Sequence, residues 1–431
     1  MTTPIIYDLI GIGIGPFNLG LAALTENIST LNCLFLDENP SFNWHPGLLL
    51  PWARMQVPFH ADLVTLADPC SKYSYLAFLK ARKRLLRFTI LEKYFPLRSE
   101  YHDYCAWVAK YLKTLKFGYK VENVEYDKER QAYRITAWQG NFTSRAYFYA
   151  KKIVIGIGSR PFIPEGIQDK MYLPYLTHAS GYLYHKKDFI ERGDITIIGS
   201  GQSAAEIFYD LLQLYPDRLG QLTWITRSGI LPMDYSKFSC EMTSPEYTSH
   251  FFSLSSEMKG KVLAGQDNLY KGINRSLIQM IYERLYLISL SRPNLKSDIR
   301  ILPHRELLDI RPLEISGKMF LKLCHTETME MNKHLSSATI LATGYENQPP
   351  AFLEGIKDRI SFDAKGRLAI NRNYAIDKTG DSIFIQNAEL HTHGFNSADL
   401  GLGTYRNMVI VNSILGYEHY GIPADNTFQS F

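Results

Sequence analysis

The sequence predicts an α/β fold with two Rossmann-like dinucleotide-binding domains and a small helical substrate region. Two stretches, 7–24 and 194–206, share one pattern, in which an apolar strand ends in a glycine turn and a helix follows. A third stretch, about 236–290, shows helical spacing of its apolar residues and no strand pattern. We therefore expect three parts: 1–165 as the first domain, 166–335 as the second domain with the helical region, and 336–431 as a return to the first domain.

The first glycine turn follows an apolar strand at 9–12 and reads G-x-G-x-x-N. Gly13 permits the tight turn, and Gly15 lets a pyrophosphate approach the backbone at the start of a helix near Pro16. Asn18 replaces the third glycine of the usual fingerprint, whose main role is close helix–strand packing. Gly13, Gly15, Pro16 and Asn18 are therefore candidate cofactor-binding residues. The alternative is a turn that binds nothing.

A carboxylate at the end of the second strand strengthens this interpretation. Residues 32–36 form an apolar strand that leads into Asp37, about 20 residues beyond the turn. At that position an acid accepts a hydrogen bond from a free ribose 2′-hydroxyl. The first turn with Asp37 thus predicts a dinucleotide without a 2′-phosphate, such as FAD.

The second glycine turn is followed by the opposite ribose chemistry. Its candidate residues are Gly199, Gly201, Gln202, Ser203 and Ala204. The next strand, 222–226, ends in Arg227, and an arginine there accommodates a 2′-phosphate. The alternative is that Arg227 is only a surface charge. Two turns of opposite ribose preference predict two dinucleotides, FAD on the first and NADPH on the second.

Between the turns, several local patterns predict further elements. The basic run at 80–87 could be a patch for nucleic acid or anionic lipid, but we favour the solvated face of a surface helix. An amphipathic helix is expected over 100–115. A small meander follows at 120–125, 133–138 and 146–149, and a separate strand at 152–157.

The C-terminal part carries a buried strand at 337–344, which we expect to mark the return to the first domain, and a last strand at 383–387. A helix is expected after 398–403, with its N-terminal amides facing a bound flavin. His391 and His393 are two apart in a loop without a third partner, so we expect no metal site there.

Charge and cysteine content bound the function classes. A formal net charge of +4 is small for 431 residues and indicates no nucleic-acid or membrane partner. The five cysteines are scattered and never spaced C-x-x-C, which favours reduced thiols in a cytoplasmic protein and argues against a zinc site. No apolar run is long enough to span a bilayer, so we expect no integral membrane segment.

Four motifs give the chain a specific resemblance. They are Trp44–Gly47 (WHPG), Met55–Leu63 (MQ-x-x-F-x-x-DL), Ala67–Pro69 (ADP) and Ala342–Tyr345 (ATGY). Together they resemble the flavin-dependent N-hydroxylating monooxygenases of siderophore biosynthesis, over nearly the whole chain. The resemblance implies that FAD, NADPH and dioxygen hydroxylate a terminal amine of lysine, ornithine or a diamine through a C4a-hydroperoxyflavin. It also implies a small-molecule substrate and a homo-oligomer, dimer or tetramer.

The resemblance assigns roles to individual residues. Gln56 is expected beside the isoalloxazine ring, where it would help to hold the oxygenated flavin. The alternative is a buried amide that is bonded to the backbone. Further cofactor-binding positions are Trp44, His45, Val121, Thr343, Gly344, Ala398, Asp399 and Leu400.

Departures from the family pattern bear on the substrate. Amino-acid hydroxylases carry a lysine, an asparagine and a serine for the substrate carboxylate, and the matching positions here are Ala61, Leu269 and Gly401. Cys240 is a further candidate substrate residue. A buried carboxylate without partners costs several kcal/mol, which favours putrescine or cadaverine over an amino acid. The alternative, an L-lysine or L-ornithine N-monooxygenase, requires a carboxylate partner elsewhere, for example Lys271 or His60.

Three other classes of protein fit the sequence less well. A pyridine-nucleotide disulfide reductase would carry closely spaced cysteines, which this sequence lacks. Other flavin monooxygenases carry F-x-G-x-x-x-H between the two turns, and the corresponding segment, 176–182, does not match. A binder that retains the fold but oxidises nothing is opposed by the two intact turns, and amine-stimulated NADPH oxidation would discriminate it from an enzyme.

Overall fold

The computed structural model describes residues 4–140, 144–292, 295–422 and 424–431. The strands are β1 (Ile6–Ile12), β2 (Cys33–Asp37), β3 (Leu115–Phe117), β4 (Tyr119–Asp127), β5 (Ala132–Gln139), β6 (Ser144–Ile155), β7 (Arg160–Pro161), β8 (Leu176–His178), β9 (Asp194–Ile198), β10 (Gln221–Ile225), β11 (Ile299–Leu302), β12 (Arg305–Leu313), β13 (Lys318–His325), β14 (Met331–Ser336), β15 (Ala338–Leu341), β16 (Tyr345–Glu346) and β17 (Ile383–Ile385).

The helices lie mostly between strands, as an α/β fold requires. They are α1 (Pro16–Thr25), α2 (Tyr75–Ala81), α3 (Leu85–Leu91), α4 (Arg98–Tyr111), α5 (Tyr182–Arg192), α6 (Gln202–Leu212), α7 (Lys237–Glu241), α8 (Pro245–Ser253), α9 (Ser256–Ala264), α10 (Asp267–Tyr270), α11 (Arg275–Ser291), α12 (Leu390–His393) and α13 (Gly403–Leu415). Among the described residues, no helix is both long and apolar enough to cross a membrane.

The first sheet has the order β3-β2-β1-β6-β5-β4, and β17 also pairs with β6. Strands β3, β2, β1, β6 and β17 are parallel, whereas β4 and β5 form an antiparallel meander. The strand β6 serves both parts, because its first half pairs with β5 and its second half with β1. The prediction of two separate strands at 146–149 and 152–157 was therefore wrong.

The second sheet, β11-β10-β9-β15-β8, is parallel throughout. β15 lies between β9 and β8, so the buried strand of the ATGY motif belongs to the second domain. The domain limit that we predicted at 335 is therefore too early. Tyr345–Glu346 then pairs with Arg160–Pro161, which brings the outgoing and returning chain side by side.

The helices of the first domain differ in two places from the prediction. The basic run at 80–87 is not one helix face, because it is divided between α2 and α3 by a turn in which Lys83 has a φ of 56°. The helix predicted over 100–115 spans Arg98–Tyr111 instead, and Leu115 begins β3.

The helical region predicted at about 236–290 is confirmed as α7 to α11. Tyr247 and Phe251 of α8 pack against Phe395, which lies just before α13. The Asn396 side-chain amide donates to the Met242 carbonyl and to the Thr248 hydroxyl, at 3.0 Å each. The helical region is thus attached to the C-terminal segment of the first domain.

Candidate active site

The first glycine of each turn is required by the backbone. Gly13 has a φ of 89°, and a Cβ there would lie 2.5 Å from the Gly156 carbonyl oxygen. Gly199 has a φ of 145°, and a Cβ there would lie 2.1 Å from the Ala342 carbonyl oxygen. Each turn packs against the residue that follows the neighbouring parallel strand, β6 for Gly13 and β15 for Gly199, so only glycine fits both positions.

The second glycine of each turn faces open space. A Cβ at Gly15 would meet no protein atom closer than 4.0 Å, and one at Gly201 none closer than 3.8 Å, among the described residues. Both residues have extended backbone and cap the N-termini of α1 and α6 without a side-chain cap. The first amides of these helices are therefore available to an anion, and the residues present fit a pyrophosphate at each turn.

Asn18 supports the first turn from behind. Its side chain is fully buried, and its Nδ2 donates to the Gly13 carbonyl at 2.8 Å. Its Oδ1 accepts from Gln386 Nε2, at 2.8 Å. The Asn18 side chain, which replaces the third glycine, thus connects the turn to Gln386, which follows β17.

Asp37 lies at the carboxyl end of β2, beside the first turn. Its Oδ2 accepts from the Ile14 amide at 2.6 Å, and its Oδ1 accepts from the Asn39 amide at 2.8 Å. Oδ1 also accepts from Asn39 Nδ2 at 2.9 Å, whereas Oδ2 has a second lone pair. The partly exposed carboxylate therefore retains acceptor capacity for a ribose hydroxyl.

Arg227 follows β10 and is 73% exposed. Its nearest carboxylate, Glu306, lies 3.9 Å away, at the limit of an ion pair. The guanidinium is therefore free to meet a phosphate. Of the other candidates at the second turn, Ser203 is partly exposed, whereas Ala204 is fully buried and offers a ligand only its backbone.

Sequence reasoning missed a buried ion pair between the two domains. Arg98, on α4, donates to both carboxylate oxygens of Glu206, on α6, at 2.6 and 2.8 Å. The Glu206 side chain is fully buried, and that of Arg98 is 13% exposed. Glu206 also accepts from Gln202 Nε2 at 2.9 Å, so the pair is connected to the second glycine turn.

The WHPG motif also lies at the junction of the domains. A Cβ at Gly47 would be 1.8 Å from the Ser180 carbonyl oxygen, so the close approach requires glycine. His45 lies beside Trp44, with 4.6 Å between the ring centroids, and faces Tyr345 at 6.3 Å. The surrounding protein and the Arg98 charge lower the pKa of the His45 imidazole to about 4. His45 is therefore neutral at pH 7.

Gln56 joins a network from the helical region. Its Nε2 donates to the Gly272 carbonyl at 3.1 Å and to Asn274 Oδ1 at 3.3 Å. The Tyr235 hydroxyl lies 2.7 Å from Asn274 Oδ1 and 3.3 Å from the Gln56 carbonyl. The Asn274 amide in turn donates to Gln202 Oε1 at 2.9 Å. Gln56 does bond to backbone, as the alternative held, and the network continues to the second turn.

The structure brings two predicted substrate positions together. A Cβ at Gly401 would lie 3.7 Å from the Ala61 Cβ and 2.8 Å from Asp399 Oδ1. Leu269, in contrast, packs against the aromatic cluster of Tyr247, Phe251 and Phe395. Ala61, Gly401 and Asp399 therefore lie side by side.

Asp399 is the ionisable residue of these three. Its Oδ1 accepts from the Gly401 amide at 2.6 Å, and burial raises the pKa of its carboxyl above the ordinary value. Burial raises the pKa of the Tyr235 hydroxyl, and the nearby Asp399 charge adds to this rise. Cys240 is exposed on α7. Asp399, which the sequence predicts as a cofactor-binding residue, lies beside the predicted substrate positions Ala61 and Gly401, and its role stays a prediction.

Both alternative partners for a substrate carboxylate are otherwise engaged. The Lys271 ammonium pairs with Asp267 at 2.8 Å and lies over the Tyr270 ring. Burial lowers the pKa of His60, so its imidazole is neutral at pH 7. Neither residue supplies a free cation beside Ala61.

The remaining cofactor candidates lie on the first sheet and at the chain's return to it. Val121 is a partly exposed residue of β4. The Thr343 hydroxyl donates to the Phe162 carbonyl, and the Gly344 carbonyl accepts from His178 Nε2 at 3.1 Å. In the part of the chain that the structure describes, no group of three or more His, Cys, Asp or Glu side chains could hold a metal ion.

Comparison with known proteins identifies the family of this chain. The model of the L-lysine 6-monooxygenase/L-ornithine 5-monooxygenase family matches residues 5–347. A putrescine N-hydroxylase of Shewanella oneidensis is 46% identical, over 100% of this chain and 86% of its own length.

Two solved structures are also similar. The FAD-bound cadaverine monooxygenase of the desferrioxamine pathway of Erwinia amylovora is 46% identical, with a TM-score of 0.95 over 99% of this chain and 98% of its own. An ornithine N-hydroxylase of Kutzneria, with reduced FAD, NADP⁺ and L-ornithine, is 28% identical, with a TM-score of 0.87 over 96% and 99%. The chain therefore belongs to the L-lysine 6-monooxygenase/L-ornithine 5-monooxygenase family of flavin-dependent N-hydroxylating enzymes.

Proposed function

We propose that the chain hydroxylates one primary amine of putrescine or cadaverine, with FAD, NADPH and dioxygen, as an early step of hydroxamate siderophore synthesis. The observation that carries the proposal is the close approach of Ala61, Gly401 and Asp399. Ala61 and Gly401 have no side-chain group that could bind a substrate carboxylate, whereas Asp399 offers a negative charge. The names of the Shewanella and Erwinia relatives, for putrescine and cadaverine, support the same substrate class.

The two ends of a diamine need different treatment. The nitrogen that accepts oxygen must be neutral, since only its lone pair can react, while the other nitrogen can remain an ammonium. We assign the ammonium to Asp399, whose recessed carboxylate strengthens such a pair through the low local dielectric. A lysine at position 61 would bind a carboxylate and repel this ammonium. Ala61 does neither, and both differences favour a diamine.

In this proposal each cofactor binds at one of the two glycine turns. FAD lies on the first turn, with Gly13, Gly15 and Asp37, and NADPH on the second, with Gly201 and Arg227. The reduced flavin supplies the chemistry by activating dioxygen, and the protein orients the reactants and excludes water. Gln56 and Tyr235, bridged through Asn274, fix the segment that leads to Ala61.

An amino-acid substrate is the competing function. It would leave its α-carboxylate beside Asp399 and without a cation from Lys271 or His60, which costs several kcal/mol. We therefore expect lysine and ornithine to be poorer substrates by roughly 100-fold or more in kcat/KM.

A substrate screen tests the proposal. The reconstituted enzyme, with FAD and NADPH, is given putrescine, cadaverine, ornithine or lysine, and the hydroxylamine formed is measured. Putrescine or cadaverine should give coupled hydroxylamine, while lysine and ornithine give little. Efficient hydroxylation of lysine or ornithine with little product from diamines would overturn the proposal. NADPH oxidation without hydroxylamine from any amine would refute N-hydroxylation itself.

We also propose that the chain works in the cytoplasm as a homo-oligomer, a dimer or a tetramer. All five cysteines are free thiols, and Cys70 and Cys240 are exposed, which suits a reducing compartment. Light scattering of the purified protein tests the assembly, and a monomer mass near 49.5 kDa would contradict it.

A further inference from the structure

The short helix α3 presents an apolar surface to solvent. None of its seven residues is fully buried, although Leu85 and Phe88 pack against the core. The opposite face exposes the side chains of Leu86 and Ile90 by 73% and 70%, and Leu91 and Tyr94 beside them are more than half exposed. We call these four residues the α3 surface. Four large exposed apolar side chains within nine residues form a patch rather than scattered single residues.

Basic residues flank and interrupt this patch along the sequence. Between residues 80 and 94 there are six Lys or Arg residues and one carboxylate, Glu92. Arg84 pairs with Glu100 at 2.9 Å. The others form no ion pair among the described residues, and we call them the basic collar: Lys80, Arg82, Lys83, Arg87 and Lys93. The formal net charge of +4 for the whole chain conceals this local concentration.

The α3 surface and the basic collar together indicate which kind of partner fits. A nucleic acid would engage the cations but would leave Leu86 and Ile90 in water. A second copy in a twofold contact would bring collar against collar, and like charges would repel. An anionic lipid surface satisfies both features, since lipid headgroups attract the collar and the acyl boundary accepts the apolar side chains. We propose that the α3 surface docks the protein on an anionic membrane surface.

The α3 surface adjoins the substrate positions. The Phe59 amide donates to the Tyr94 carbonyl at 3.0 Å, and the Phe59 ring packs edge-on against Phe88. Phe59 lies on the segment between Gln56 and Ala61. A docked enzyme would therefore hold this segment close to the membrane.

The helix α11 offers a matched control. Its residues Tyr282, Tyr286, Leu287 and Leu290 are also more than half exposed, so its apolar surface is comparable. Between residues 279 and 291 the chain has one basic residue, Arg284, and one acidic residue, Glu283, so a basic collar is lacking there. Removing apolar side chains from α11 tests whether exposed hydrophobicity alone is enough for lipid binding.

Vesicle flotation tests the proposal with the FAD-reconstituted protein. Vesicles of phosphatidylcholine with 30% phosphatidylglycerol are compared with pure phosphatidylcholine, at low and high salt. We expect binding to the anionic vesicles alone, and weaker binding at high salt. Lys83→Gln with Arg87→Gln should lower the partition coefficient roughly 30-fold, about fivefold for each charge. Leu86→Glu with Ile90→Glu should lower it more than about tenfold.

The control variant, Tyr286→Glu with Leu290→Glu, should bind the anionic vesicles like wild type. Amine-dependent NADPH oxidation without vesicles should be unchanged in all variants, which shows that they are folded. Equal binding to neutral vesicles, or no binding to anionic ones, would overturn the proposal. So would a fall in oligomeric mass in the Leu86→Glu, Ile90→Glu variant without a change in vesicle binding, because the patch would then be a contact between copies.

Discussion

Two glycines in one turn have separable roles at the scale of single residues. Gly13 is needed by the protein itself, because its φ is positive and the Gly156 carbonyl leaves no room for a Cβ. Gly15 has an ordinary backbone conformation and open space in front of it. The same division holds for Gly199 and Gly201 in the second turn. The sequence spacing predicts both turns, but only the structure shows that the first glycine of each turn is needed for folding and that the second faces the space for a ligand.

Substitution of these glycines should give opposite outcomes. Gly15→Val should leave the apoprotein folded, with little change in its thermal midpoint, but weaken FAD binding by 100-fold or so, because the side chain occupies the phosphate position. Gly13→Val should instead lower the stability of the apoprotein by about 2 kcal/mol or more. Thermal unfolding and flavin titration measure the two effects. Full flavin retention by Gly15→Val would show that the pyrophosphate lies elsewhere.

Arg227 should decide the coenzyme. Its guanidinium is exposed and only loosely paired, so a charge-assisted contact with a 2′-phosphate should contribute about 1.5–3 kcal/mol. Arg227→Ala should therefore raise the KM for NADPH about tenfold or more and leave that for NADH nearly unchanged. Arg311→Ala, at an equally exposed arginine of the same domain, is the control. Equal losses with both coenzymes would remove this role from Arg227.

At the scale of elements, α4 and α6 are held together by the Arg98–Glu206 pair. Removing one partner leaves a buried charge without compensation, whereas removing both does not. Arg98→Met should therefore cost about 3–5 kcal/mol of unfolding free energy, because Glu206 is fully buried. The double variant, Arg98→Met with Glu206→Met, should recover much of that loss. Urea unfolding of both single variants and the double variant measures it, and a double variant no more stable than Arg98→Met would contradict the assignment.

Elements with a local signal were predictable from the sequence, whereas their limits and partners often were not. The strand–turn–helix units at Gly13 and Gly199 follow from apolar runs and glycine spacing alone. The single strand β6 was divided wrongly, since its continuity depends on pairing with both β1 and β5. The basic run at 80–87 was assigned to one helix, because the left-handed turn at Lys83 has no glycine to signal it.

At the scale of the whole molecule, the site is assembled across the domain junction. Glu206 lies 108 residues beyond Arg98, and Asn274 lies 218 residues beyond Gln56. No local pattern can report such contacts, so sequence reasoning missed Arg98, Glu206, Tyr235 and Asn274. For the same reason the ATGY strand was assigned to the wrong sheet, because its neighbours β9 and β8 are distant in sequence.

Substrate choice is the central claim at this scale, and it depends on Asp399. The comparison that tests it most directly uses putrescine and butylamine, which differ by one terminal ammonium. Wild-type enzyme should favour putrescine in kcat/KM by about 100-fold, since the recessed ion pair is worth on the order of 3 kcal/mol.

Asp399→Asn should reduce that preference to within a few-fold, mainly through loss of putrescine turnover, while butylamine turnover stays nearly constant. Flavin content and the KM for NADPH, measured on the same preparations, show whether the cofactor sites are intact. An undiminished preference for putrescine in Asp399→Asn, with intact cofactor sites, would contradict the account.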